Sequence, residues 1–142
     1  MRGMLRAAPL LRLTTAHWRA ITDHLTAQLP NEACGLLGGP AGQVRAVYPV
    51  ANILNSPVAY QMDPAQQLAV FLELETAGWE LTAIFHSHPA GPAGPSPTDI
   101  AQAYYPEALY LICAPEAAGR WRGRAFRLEA GQATEVPVEI AA

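Results

Sequence analysis

Lysine is absent from this sequence: all nine basic residues are arginines, a bias that carries no functional reading. Charge of either sign is sparse, at 15% of residues, and the net charge is −3. No basic patch is large enough to suggest a nucleic-acid partner. Cysteine is scarce too, with Cys34 and Cys113 as the only two. They lie far apart in apolar, strand-like runs and read as buried free thiols, consistent with a reducing cytoplasm. There is no second cluster of Cys and His that could hold a structural zinc. No apolar run approaches the length of a transmembrane helix. The N-terminal Met1-Arg2-Gly3-Met4-Leu5-Arg6 leads into a short apolar stretch interrupted at Arg12, which does not suit a signal peptide. The expectation is a soluble, cytoplasmic protein with no membrane partner.

Repeats and linkers are also missing. With 142 residues, 51% of them apolar, the chain suits one folded domain over 1–142 with one core.

What is present centres on Phe85-His86-Ser87-His88-Pro89, then Gly91-Pro92-Ala93-Gly94-Pro95, then Ser96-Pro97-Thr98-Asp99. The apolar lead-in Leu81-Thr82-Ala83-Ile84-Phe85 reads as a buried strand. Side chains alternate along a strand, so His86 and His88 point the same way, with Cα atoms roughly 6.5–7 Å apart. Two imidazoles at that spacing can reach one metal. Pro92, Pro95 and Pro97 stiffen the loop, while Gly91 and Gly94 permit its reversals. Ser96-Pro97-Thr98-Asp99 has the form of a helix start, with serine as N-cap and proline at the first helical position. By themselves Ser96 and Asp99 would be a capping box. Together with the histidines, a helix beginning there returns Asp99 to the strand end. Two histidines and an aspartate, with a fourth position open, form a zinc site of the catalytic type.

His86-Ser87-His88-Pro89, seven residues between His88 and Ser96, and two more before Asp99 resemble the signature of the JAMM (MPN+, JAB domain) metalloproteases. Members of that family also carry a glutamate upstream, at the start of an apolar strand. Asn31-Glu32-Ala33-Cys34-Gly35-Leu36-Leu37-Gly38-Gly39 resembles that element. Alone, Glu32 would pass for a solvated strand end. The resemblance runs from about Leu11 to about Leu128. It implies the JAMM fold, which is similar to the cytidine deaminase fold. The deaminase motif His-x-Glu with Pro-Cys-x-x-Cys is itself absent, as is the helical His-Glu-x-x-His of common zinc proteases.

The rest of the chain fills in a mixed α/β (α+β) fold, a mixed sheet flanked by helices. Leu10 to Leu13 is a short strand. Thr14 or Thr15 caps a helix to about Leu29, with Trp18, Ile21, Leu25 and Leu29 on one face. His17 and His24 lie beside that stripe and do not read as ligands. Cys34 to Gly38 and Val44 to Val50 form a hairpin around the Pro40-Ala41-Gly42 turn. Ala51 to Pro57 is a loop and Tyr60 to Met62 a short extended piece. Asp63 caps a helix that Gly78 closes. Pro97 to about Tyr104 is a short helix, Ala108 to Cys113 a buried strand, and Trp121 to Leu128 a more exposed edge strand. Val136 to Ile140 is a last strand.

The chemistry implied by the resemblance is zinc-assisted amide hydrolysis, with one Zn²⁺ per chain held by His86, His88 and Asp99. Glu32 is the general base and then acid. Ser96 donates to the oxyanion, and Ser87, pointing to the other side of the strand, is structural or supports the ligands from behind. The implied substrates are ubiquitin-like proteins cut after a C-terminal diglycine. For a short prokaryote-like chain these would be sulfur carriers of the ThiS/MoaD kind or their conjugates. Two alternatives stay open: a silent MPN-type scaffold, and a different JAMM-type hydrolase, such as a small-peptide or cell-wall peptidase, or a RadC-like protein. The sequence leaves oligomeric state and metal identity open.

Overall fold

The computed structural model describes residues 9–142, so the reading of the N-terminal Met1–Arg6 segment falls outside the described residues. Eight strands and three α-helices follow in the order β1 (Leu11–Thr14), α1 (Thr15–Gln28), β2 (Cys34–Gly39), β3 (Ala46–Val50), α2 (Pro64–Ala77), β4 (Glu80–Ser87), α3 (Pro97–Ala101), β5 (Leu109–Pro115), β6 (Trp121–Glu129), β7 (Gln132–Val136) and β8 (Val138–Ala141). Six strands form a mixed sheet in the order β3-β2-β4-β5-β6-β7, and β1 pairs with β8 in a small parallel ribbon. Within the large sheet only β4 and β5 run parallel. Their crossover passes through the Pro/Gly loop and α3.

Each helix has local signals that set its limits. Thr14 accepts from the His17 amide, and the His17 ring in turn accepts from the Thr14 N–H, so α1 starts on a closed capping box. Asp63 Oδ1 accepts from the Ala65 and Gln66 amides at the head of α2, and Gly78 ends it with φ +70°.

The two faces of the sheet carry separate apolar layers. Ile21 and Leu25 of α1 pack with Leu37, Ala83, Phe85, Leu111 and Ala125 on one face. Val70 and Leu74 of α2 pack with Leu36, Ile84, Tyr110, Ile112 and Phe126 on the other. Gly35 lets β2 lie close to β4, since a methyl there would meet the Phe85 ring and the Tyr48 carbonyl.

Two expectations are corrected. Trp121–Glu129 is not an edge strand: β7 pairs along its outer side through a tight turn at Ala130 and Gly131, both at positive φ. The polar run Gln132-Ala133-Thr134-Glu135 carries little strand signal, which hid that pairing. Helix α3 stops at Ala101, short of Tyr104, which is exposed; there is no apolar stripe to extend it.

Candidate metal centre

The site forms where β4 ends. The antiparallel register pairs Cys34 with His86, so Ala33 faces Ser87 and Glu32 faces His88. The Ser87 amide donates to the Ala33 carbonyl at 2.9 Å, and the His88 amide donates to the Cys113 carbonyl at 2.8 Å. Both ligand-type histidines are therefore held by sheet-like hydrogen bonds on both sides of β4. The crossover then brings α3 back over them. Ser96 caps α3, accepting from the Asp99 amide at 3.0 Å, while its own amide donates to Asp99 Oδ2 at 2.8 Å. This capping box fixes the Asp99 carboxylate.

His86 Nε2 and His88 Nε2 lie 3.1 Å apart. Asp99 Oδ1 is 3.2 Å from His86 Nε2, and Oδ2 is 3.1 Å from His88 Nε2. Ligands around a tetrahedral zinc at ordinary bond lengths stand roughly 3.3 Å from one another. The three side chains thus already have the spacing of one face of such a tetrahedron. The Glu32 carboxylate falls in a wider group with the two imidazoles, within 4.8 Å. It sits next to the triangle made with Asp99.

The histidines are oriented from behind. His88 Nδ1 donates to the Pro92 carbonyl at 2.9 Å, leaving the Nε2 lone pair for a metal. His86 Nδ1 is buried without a partner among the described residues. That ring is oriented by packing instead: Tyr60 stacks on it with centroids 4.4 Å apart and planes 28° from parallel.

Burial and charge set the protonation states. Burial holds His86 below its usual range, against the pull of Asp99, and a neutral imidazole is the ligating form. For Asp99, burial is outweighed by hydrogen bonds from His86 and His88, which hold the carboxyl well below the usual carboxylate range. His88 shifts upward because Asp99 and the Pro92 carbonyl outweigh its burial. Glu32 is pushed up to about 7, chiefly by burial, with Asp99 adding to the effect and His88 opposing it. A carboxyl balanced near neutrality suits a group that both takes and gives a proton. The donor set of two imidazoles and an ionised carboxylate fits a divalent metal, zinc foremost.

A cleft of about 660 Å³ opens over these groups, with Glu32, His88, Ser96 and Asp99 in its wall. Leu54, Val58, Tyr60 and Tyr104 also line it. Three of these, Leu54, Val58 and Tyr104, are exposed.

All five residues singled out in the sequence meet here. His17 and His24 do not: His17 closes the α1 cap, and His24 Nε2 donates to the Cys34 carbonyl at 3.0 Å. Cys34 and Cys113 are buried free thiols. Tyr60, the Pro92 carbonyl and Asn52 belong to the surroundings of the site, and sequence reasoning missed all three. Tyr60 lay in a segment with no motif, and a backbone carbonyl leaves no residue signature.

The family model described as prokaryotic homologs of the JAB domain matches residues 14–129. A CysO-cysteine peptidase of Mycobacterium tuberculosis is 37% identical over 135 residues, covering 94% of this chain and 88% of that protein. A desampylase of Haloferax volcanii is 39% identical over 104 residues, covering 69% of this chain and 75% of that one. Among solved structures, a protein from Desulfitobacterium hafniense, 35% identical, superimposes with a TM-score of 0.82 over 92% of both chains. With a family model spanning most of its length and a peptidase relative along nearly all of it, this chain belongs to the prokaryotic JAB-domain family.

Proposed function

We propose that this protein is a zinc metallopeptidase that hydrolyses the amide bond after the C-terminal Gly-Gly of a ubiquitin-like or sulfur-carrier protein of the ThiS/MoaD kind. The observation that carries the reading is the placement of Glu32. Its buried carboxylate stands beside a compact His86–His88–Asp99 triangle and opens on the same cleft. The relatives named for cutting CysO-cysteine and for desampylation support a protein-conjugate substrate. So do the exposed apolar side chains along the cleft, which suit a protein surface better than a small polar peptide.

His86, His88 and Asp99 would hold one zinc ion per chain. When bound, it supplies a Lewis acid for the scissile carbonyl and brings the ionisation of water down toward neutrality. Glu32 takes the proton of the attacking water on its carboxylate and passes it to the departing amine. Ser96 Oγ already accepts from the Asp99 amide, so its hydroxyl proton is free to be donated into the cleft. There it stabilises negative charge growing on the carbonyl oxygen. The Asp99 capping box and the His88–Pro92 bond keep the ligands in place throughout.

No helix among the described residues is long and apolar enough to cross a membrane. We place the reaction in the cytoplasm, where free Cys34 and Cys113 stay reduced.

The test is a panel of ubiquitin-like sulfur carriers, each extended after Gly-Gly by an amino acid, a peptide or a lysine-linked protein. Zinc-loaded protein should release the intact carrier from at least one, and a chelator should stop it. Zinc binding without cleavage of any carrier would overturn the substrate assignment.

A further inference from the structure

Glu32 lies outside the regular sheet, just before β2 begins at Cys34. Its backbone is nonetheless held on every side. The Glu32 amide donates to the Ser56 carbonyl at 2.9 Å. The Glu32 carbonyl accepts from Asn52 Nδ2 at 2.9 Å. The next amide, of Ala33, donates to Ser87 Oγ at 2.9 Å. The single peptide group joining Glu32 to Ala33 is therefore gripped at its oxygen by Asn52 and at its N–H by Ser87. Ser87 is the residue between the two histidines, so one end of this peptide is tied directly to the strand that carries them.

Asn52 is buried, at 7% exposure. A primary amide offers two donors and an oxygen with two lone pairs, and this one uses all four. Nδ2 donates to the carbonyls of Glu32 and Ala59, and Oδ1 accepts from the amides of Leu54 and Gln61. With carbonyls on one side and N–H groups on the other, the amide has a single workable orientation. A residue meant only to fold its own loop would have its partners inside that loop. Three of these partners do lie there, but the fourth is Glu32, twenty positions earlier in the chain. The same loop supplies Leu54 and Val58 to the cleft.

We infer that Asn52 is a positioning residue for Glu32: it locks the Glu32–Ala33 peptide, and through it the carboxylate, beside the His86–His88–Asp99 triangle. The inference rests on the proposed role of Glu32 as proton carrier and adds how that group is held. The Asn52 amide hydrogen-bonds to none of the His86, His88 and Asp99 side chains, so its loss should leave metal content intact.

The experiment compares Asn52→Ala and Asn52→Asp with wild type, each zinc-loaded, alone and combined with Glu32→Gln. Asn52→Asp keeps the side-chain size and both accepted bonds but sets an acidic oxygen where the two donors were, against the Glu32 and Ala59 carbonyls. It thus breaks the tether without opening a cavity and gives a second variant where Asn52→Ala fails to fold. Misplacing a reacting group by about 1 Å costs on the order of 100-fold. The expected result is a roughly 10- to 100-fold lower kcat, with KM and zinc stoichiometry near wild type. In the Glu32→Gln background the same substitutions should change the residual rate little, because residues that act as a unit are not additive. A raised KM with unchanged kcat, or a full loss that persists in the Glu32→Gln background, would overturn the inference and leave Asn52 a loop-folding residue. Amide hydrogen exchange gives a readout free of substrate: Asn52→Asp should deprotect the Glu32 and Ala33 amides. If wild type cuts no carrier, the substrate assignment fails by itself, and exchange alone decides. Lost protection at those two amides then upholds the tether, and unchanged protection overturns it.

Discussion

Phe85 and His86 are neighbours on β4, equally buried at 0% and 1% exposure, and they point to opposite faces of the sheet. Phe85 enters the layer under α1, among Leu37, Leu111 and Ala125, with the His24 ring edge-on at 6.3 Å. His86 enters the α2 side, where Tyr60 stacks on it and Asp99 and His88 meet its Nε2. One face is closed by apolar contact and contributes stability. The other leaves the hydrocarbon layer at its top and becomes a polar cluster under a cleft. The two-residue period of a strand is what lets a single backbone serve both ends without mixing them. The face that holds the candidate site is the strained one, with an unpartnered buried nitrogen at His86 and a carboxyl raised by burial at Glu32.

That contrast can be broken deliberately. The largest effect should come from crossing the two substitutions. Phe85→Ala should lower the unfolding free energy by about 3–5 kcal/mol, read by chemical denaturation, while the folded fraction still takes up zinc. His86→Ala should abolish stoichiometric zinc, read by elemental analysis, while the circular-dichroism spectrum stays that of the folded sheet. Next, Gly35→Ala should cost about 1–3 kcal/mol through overpacking. The added methyl meets the Phe85 ring and a backbone carbonyl, neither of which can swing aside.

A smaller effect tests the strain on the polar side. Glu32 is raised from its ordinary 4.5 to about 7 in the folded chain. A group with a raised folded pKa contributes fully below its unfolded value, and that contribution is lost as pH rises through the folded one. Metal-free wild type should therefore lose stability between about pH 4.5 and pH 8 on account of Glu32. Glu32→Gln has no such loss. Its metal-free form should melt above wild type at about pH 8, with the difference shrinking toward pH 5. The least visible effect is at the thiols. Burial first, and Glu32 second, push Cys34 up to about 12, and burial raises Cys113 as well. Neither should react with iodoacetamide in the native protein near pH 8, and both should in denaturant.

Much of this arrangement was legible in the sequence because its signals are local. His86 and His88 share a strand, Ser96 and Asp99 share a helix start, and the Pro/Gly run between them leaves the chain few ways to go. Glu32 became legible only through resemblance, since an acid before an apolar strand has no distinctive local pattern. The parts that stayed hidden depend on distant pairings. Asn52 reads as an ordinary loop residue until its four partners are seen, one of them twenty positions earlier. Tyr60 needs the fold to bring it over His86. The β6–β7 pairing was missed because Gln132 to Glu135 is polar and an outer strand needs no apolar face.

The central claim is that Glu32 stands outside the metal's ligand set and acts on protons. Zinc affinity and carrier cleavage, measured together on wild type, Glu32→Gln and Asp99→Asn, test it most directly. The expected result is that Glu32→Gln binds zinc like wild type and keeps only a small residual rate of cleavage, while Asp99→Asn loses zinc and cleavage together. Loss of zinc from Glu32→Gln to the extent seen in Asp99→Asn would contradict it, and would make Glu32 a ligand.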